Sequence, residues 1–104
     1  MGLEVTRHAK RTDANHAHIR DGLRQQGWQV LDLSAAGCGV PDLLVGLAPG
    51  APWFLEIKDE DKPLSAQKLT KAQEVWHSFA WGVTSKVRSL DEAVEVLTWA
   101  RNKL

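Results

Sequence analysis

Apolar and polar positions change period several times along the 104 residues of this chain. From Thr12 to Gln26 they recur at helical spacing, and Gly27 stands where a residue just past a helix end is expected. "WQVLDL" (28–33) is strand-like, "SAAGCG" (34–39) reads as a loop, and "DLLVG" (42–46) as a second strand. "LAPGAP" turns the chain into a third strand, "WFLEIK" (53–58), and the polar "DEDKPLSAQ" reads as loop. "TKAQ" (70–73) fits a capping box and predicts a helix to Trp81 with a stop at Gly82. "VTSKV" (83–87) is a fourth strand. "SLDE" (89–92) is a second capping box, opening a final helix with Val94, Leu97 and Arg101 on one side. The order α-β-β-β-α-β-α predicts an α/β fold, a mixed four-stranded sheet flanked by helices, which would bury these apolar stripes. Residues 1–11 are polar with weak periodicity and read as a basic N-terminal arm, leaving 12–104 as a single domain.

Charge interrupts the pattern in the hairpin "PDLLVGLAPGAPWFLEIKDEDK" (41–62), where Asp42 opens one arm and Glu56 and Lys58 close the other. Side chains alternate faces along a strand, so Trp53, Leu55 and Ile57 point one way and Phe54, Glu56 and Lys58 the other. If the hairpin is symmetric about Pro49, residue 42 falls opposite residue 56 and shares its face. A slip of one residue would separate them. Two converging carboxylates make an oxygen site for a hard cation such as Mg²⁺, which keeps waters for chemistry. A lysine one pleat away can stabilise charge developing at a phosphoryl oxygen. The alternative is an ion pair between Lys58 and either carboxylate, worth about 0–1 kcal/mol at a surface.

Composition narrows the classes. Formal net charge is zero, which argues against a simple basic glove for nucleic acid. Its distribution is uneven: Arg7, Lys10, Arg11, Arg20 and Arg24 cluster near the start with three histidines, and Lys58, Lys62, Lys68 and Lys71 form a second group. A cation on Asp42 and Glu56 would leave the remaining surface basic; otherwise these are ordinary solvated charges. Cys38 is the only cysteine, so neither an intrachain disulfide nor a thiolate metal cage can form, and it reads as a small loop residue. No apolar run is long enough to span a bilayer, which makes a soluble cytoplasmic protein the default expectation.

The motif Pro41-Asp42 followed by Glu56-Ile57-Lys58 resembles the signature of the PD-(D/E)XK nuclease superfamily. Around it, "GVPDLLVG", "LEIKD", "LTKAQ" and "SLDEAVEVL" resemble the VRR-NUC group of that superfamily, from about Thr12 to Leu97. The resemblance implies a restriction-endonuclease-like αβββαβ core plus the C-terminal helix. It implies Asp42, Glu56 and the carbonyl of Ile57 as ligands of Mg²⁺, with Mn²⁺ able to substitute, and Lys58 as the catalytic lysine. Gln73 matches a glutamine that borders the site, and as the last residue of "TKAQ" it also fits the capping box.

Members often carry a metal-holding glutamate on the first helix, where this chain has "TDANHAHIRDGL". Asn15 and His16 stand near that position, on the side of Ile19 and Leu23. His16 could meet a metal or a phosphate, or serve as a hydrogen-bonded structural residue. Asp13 is the alternative acid, or a helix cap.

The expected activity is Mg²⁺-dependent hydrolysis of phosphodiester bonds in DNA, selective for branched or junction structures like a Holliday-junction resolvase. Arg11, Lys62, Lys68 and Lys71 are the candidate backbone contacts. A homodimer would place two sites on two strands, with Trp76, Trp81 or Trp99 at its contact, and a larger replication or repair partner is conceivable. The competing expectation is a non-catalytic nucleic-acid-binding or assembly module that keeps the fold.

Overall fold

The computed structural model describes residues 14–104; the predicted N-terminal arm, which includes Arg11, and Asp13 after it lie outside the described residues. The elements follow the expected order: α1 (Ala14–Gln25), β1 (Gln29–Asp32), β2 (Leu43–Ala48), β3 (Ala51–Ile57), α2 (Lys71–Phe79), β4 (Thr84–Val87) and α3 (Leu90–Arg101). Two segments read as loop each contain a 3₁₀ turn, Ser34–Ala36 and Leu64–Gln67. The strands form one mixed sheet in the order β1-β2-β3-β4, with β1/β2 and β2/β3 antiparallel and β3/β4 parallel. A parallel neighbour needs a crossover, and α2 with its leading loop supplies it.

The core lies on one face of this sheet. Leu43, Val45 and Leu47 of β2, Leu55 and Ile57 of β3 and Val87 of β4 meet Ile19 and Leu23 of α1 and Ala93, Leu97 and Ala100 of α3. The buried stripe of α3 runs through Ala93, Leu97 and Ala100, sharing Leu97 with the predicted Val94, Leu97 and Arg101 but turned by about a fifth of a turn. Small alanines let α3 approach the sheet, while Arg101 lies over the Trp28 ring, 4.3 Å from its centroid. Trp53 stacks edge-on against Trp99 and donates its indole N–H to Ser85 Oγ at 3.0 Å.

The hairpin is tighter than predicted. Strand β2 runs on to Ala48 and β3 begins at Ala51, so only Pro49 and Gly50 turn the chain, Gly50 with φ of 78°. Pairing is symmetric about residue 49 from Leu43↔Leu55 to Gly46↔Pro52, and shifts by one residue between Gly46 and Ala48. That irregularity near the turn leaves the long-range register intact.

Both predicted helix starts form. Thr70 and Gln73 make the reciprocal capping box of α2. At α3 only half of the box appears: Ser89 accepts from the N–H of Glu92, while the Glu92 carboxylate accepts from the N–H of Arg88 at 2.7 Å and from its guanidinium. The predicted helix to Trp81 stops at Phe79. Trp81 instead sits in the following turn, 88% exposed.

Candidate active site

Asp42 stands immediately before β2, and extending the observed pairing by one step places it opposite Glu56. Its Oδ2 accepts the backbone N–H of Ile57 at 2.7 Å, which pins the carboxylate against the end of β3. Glu56 points to the sheet face opposite the core and is 2% exposed, covered by the start of α2. Gln73, on the first turn of α2, donates from Nε2 to Glu56 Oε2 at 3.2 Å. Its Oε1 accepts from Lys58 Nζ at 2.9 Å and from the N–H of Thr70 at 2.9 Å. One amide therefore both caps the helix and joins the lysine to the glutamate, so the two readings of Gln73 coexist.

Among the described residues no ion pair joins Lys58 to either carboxylate; Gln73 stands between them. Glu56 Oε1 is buried with no hydrogen-bond partner. Burial, then the neighbouring Asp42 carboxyl, push the Glu56 acid up to about 9, with Lys58 pulling the other way. Without a cation the pair thus holds a proton at neutral pH, where a binding metal would displace it.

Does this donor set fit Mg²⁺? Two carboxylates, one with a buried unsatisfied oxygen, are the hard oxygen ligands such an ion takes, and one or two suffice. Among the described residues no group of three or more His, Cys, Asp or Glu side chains is placed to hold a metal, so a soft or all-protein cage does not form. The set fits a partly hydrated hard cation held by Asp42 and Glu56; of the Ile57 peptide, the group seen at the site is the N–H, which donates to Asp42.

The first helix contributes differently from the pattern it resembles. His16 is 3% exposed, with Nε2 3.1 Å from Asp32 Oδ2 and Nδ1 4.0 Å from Asp42 Oδ1. An ionised carboxylate only accepts, so the Nε2 proton belongs to the Asp32 contact. His16 therefore sits between the Asp42 carboxylate and a second acid. Asn15 serves the fold instead. Its Nδ2 donates to the carbonyls of Lys58 at 2.9 Å and Arg88 at 3.1 Å, tying α1 to the ends of β3 and β4.

Asp32 is the residue that sequence inspection passed over. It accepts from the Ser34 amide and hydroxyl, Arg20 Nη1 and His16. Burial would raise its acid, but these donors together hold it well below the ordinary carboxylate range. The signal was present: Asp32 shares a strand face with Val30 and pairs with Leu43, so its side chain turns toward the core. A carboxylate there needs donors nearby.

Much of the cationic surface is committed inside the molecule. Arg20 pairs with Asp21 and Asp32, Arg24 donates to the Val30 carbonyl at 3.1 Å, and Arg88 pairs with Glu92. Lys62, Lys68 and Lys71 are exposed on the segment between Lys58 and the first residue of α2, beside the site. Gly39, φ 82°, lies so close to α2 that an added Cβ would meet the Ala72 backbone at 2.5 Å. Exposed Cys38 precedes it.

Compared with family models, with curated proteins and with solved structures, the chain matches none. Among the described residues no helix is long and apolar enough to cross a membrane.

Proposed function

We propose that this chain is a metal-dependent phosphodiesterase of the PD-(D/E)XK type, with a restriction-endonuclease-like core, that hydrolyses DNA. The reading rests on one observation above all. Glu56 is buried with an unsatisfied oxygen beside a second carboxylate. A proton shared with Asp42 or a cation must complete that pair, and two neighbouring acids, one of them buried, are the arrangement a hard cation would exploit. The gathering of Asp42, Glu56, Lys58 and Gln73 at one end of the sheet supports it further.

A bound Mg²⁺ or Mn²⁺ would polarise a water and neutralise charge on a phosphoryl oxygen. The chain's own groups do the rest. Asp42, fixed by the Ile57 N–H, and Glu56, fixed by Gln73, orient the ligand oxygens. Lys58, held by Gln73 Oε1, would stabilise charge as the water oxygen bonds to phosphorus and gives up a proton to solvent, while the sugar oxygen leaves and takes a proton from solvent. Exposed Lys62, Lys68 and Lys71 would take flanking phosphates. Contacts of that kind read shape, so branched or junction DNA is the proposed substrate class.

The second reading, a non-catalytic nucleic-acid-binding or assembly module, draws on α1, where Asn15 is committed to backbone carbonyls and no further acid completes a cluster among the described residues. Labelled linear and branched DNAs incubated with the pure protein, with and without Mg²⁺ or Mn²⁺, separate the two. Metal-dependent nicking lost in Glu56→Gln is expected; binding without cleavage under every condition hands the function to the second reading.

A further inference from the structure

On the side of α2 away from Trp76 and Phe79 lies an open groove of about 500 Å³, lined by Leu69, Glu74, His77, Ser78 and Trp81. Its size falls within the roughly 300–1,000 Å³ of small-ligand sites. Trp81 is 88% exposed, yet its backbone is held. The Ala80 carbonyl before it accepts from the Val83 N–H at 3.0 Å and the Thr84 hydroxyl at 3.1 Å, and Gly82 after it turns the chain at φ 83°. Lys71, Glu74 and Ser78 are spaced by three and four residues and so share one side of the helix. Among the described residues neither Glu74 nor Ser78 makes a side-chain hydrogen bond or ion pair. His77 stays neutral at pH 7. Its Nε2 is buried with no partner among the described residues, and burial, then Lys58 and Lys86, hold its pKa below the ordinary value. The groove thus joins an aromatic wall to one carboxylate and one hydroxyl that the fold leaves unused.

We infer that this groove takes an unpaired guanine of a DNA strand, stacked on Trp81 and held at its edge by Glu74 and Ser78. Bases outside a duplex are recognised in this way, by stacking on an aromatic side chain and hydrogen bonding at the polar rim. The carboxylate selects the base, because an ionised carboxylate only accepts. Guanine presents two adjacent donors, the ring N1–H and the N2 amino group, which match its two oxygens. Adenine and cytosine offer an amino group beside a ring-nitrogen acceptor, and thymine one N–H between two carbonyls, so each sets a lone pair against Glu74. The Ser78 hydroxyl is free to donate to guanine O6. Charge favours a strand over a free nucleotide. Lys68 adjoins Leu69, Lys71 stands one turn before Glu74, and Lys62 lies earlier in the same segment, so cations for successive phosphates lead up to a groove that itself carries a negative charge. An apolar peptide in the same place would bury Glu74 without a partner.

Binding of the base stands by itself, and its bearing on cleavage rests on the nuclease reading. His77 follows Gln73 by one helical turn, about 6 Å along the axis. Gln73 in turn holds Lys58 and Glu56, so a base in the groove brings a neighbouring phosphate toward the acidic pair. Duplex DNA keeps its bases stacked and cannot fill the groove without flipping one out, whereas a branch point or flap offers them unpaired. Phosphate contacts from the lysines and base selection by Glu74 would then act on one strand.

Short labelled oligothymidylates with guanine, adenine, cytosine or thymine at one central position test this by fluorescence anisotropy. They are titrated with the full chain in the absence of divalent metal, so that nothing is cut. The guanine strand should bind about tenfold tighter than the others. Trp81→Ala should weaken its binding about tenfold or more, and Glu74→Ala should bring the four strands to one affinity. Both side chains are exposed, so circular dichroism should stay native. Should Trp81→Ala misfold, the base series on the wild type and on Glu74→Ala still decides. Equal binding of all four strands by the wild type overturns the inference, as does binding unchanged by Trp81→Ala or a guanine preference that survives Glu74→Ala. Free deoxyguanosine monophosphate competing as well as the strand assigns the groove to a nucleotide and equally overturns it. Adding Mg²⁺ or Mn²⁺ then separates the two readings. A guanine preference in binding that is never followed by cutting upholds the groove and sinks the nuclease reading alone. Equal binding with equal cutting of all four strands sinks the groove alone.

Discussion

Against α1 and α3 the sheet presents Leu43, Val45, Leu55 and Val87, almost inaccessible, and its one acid on that side, Asp32, is surrounded by donors. Against α2 it presents Phe54, Glu56 and Lys86, and its acids, Asp42 and Glu56, are neighbours with a single amide donor for the buried one. The same four strands thus carry a completed face and an incomplete one. The difference teaches where function sits: folding is secured by the first face, which leaves the second free to hold groups that gain nothing from the fold alone.

The largest test of this contrast is packing. Leu97→Ala, at a fully buried position, should cost about 2–5 kcal/mol in urea unfolding. Val75→Ala, at an exposed position of α2, should stay within about 0.5 kcal/mol. Equal losses would erase the distinction between the faces.

Next comes chemistry. Lys58→Ala should lower the single-turnover cleavage rate by about 10²–10³-fold, the effect of removing one charge-stabilising donor, with Mn²⁺ binding by calorimetry unchanged. Undiminished cutting would reduce Lys58 to a partner of Gln73.

The acids should then respond with opposite signs. Asp32→Asn removes the acceptor for Arg20 and His16 and should destabilise by about 1–3 kcal/mol at neutral pH. Because the folded Asp32 acid lies below its unfolded value, this stability is fully present above the ordinary carboxylate range and is lost as pH falls from that range toward the lower folded value. Glu56 runs the other way. Its folded acid is raised to about 9, so the folded state holds a proton that the unfolded chain has released. Metal-free stability is therefore greatest below the unfolded carboxylate value and declines as pH rises toward 9. Glu56→Gln should flatten that slope and raise the metal-free melting temperature at pH 8, a gain of about 1 kcal/mol. Added Mg²⁺ should raise wild-type stability, and by less in Glu56→Gln. Parallel pH profiles for the Asp32 and Glu56 variants would contradict the contrast.

Much of this was legible in the residues themselves. Alternation fixed the facing of Leu55 against Glu56, and symmetry about Pro49 anticipated the pairing that brings Asp42 opposite it. Capping residues marked both later helices because their bonds are local. What escaped was long-range. No local pattern told that Glu92 would reach past the cap to Arg88, that Asn15 would tie two strand ends together, or that His16 would lie between two acids. The tryptophans were ambiguous for the same reason. Trp28 and Trp53 pack against the core, whereas Trp76, Trp81 and Trp99 are exposed, and hydrophobicity alone does not say which face is covered.

The hairpin register has a consequence for how variants of this chain can be sought. Asp42 and the Pro49–Gly50 turn are separated by the length of β2, about 20 Å at the usual strand rise. Sliding β3 past β2 by one residue would carry Glu56 to the core face, and the same slip would turn Leu55 out into water. Alignment of the two carboxylates and burial of leucine are in this way a single constraint. A library randomised around the turn and screened for soluble expression alone would, with no assay for cutting, already discard the members whose two carboxylates no longer meet.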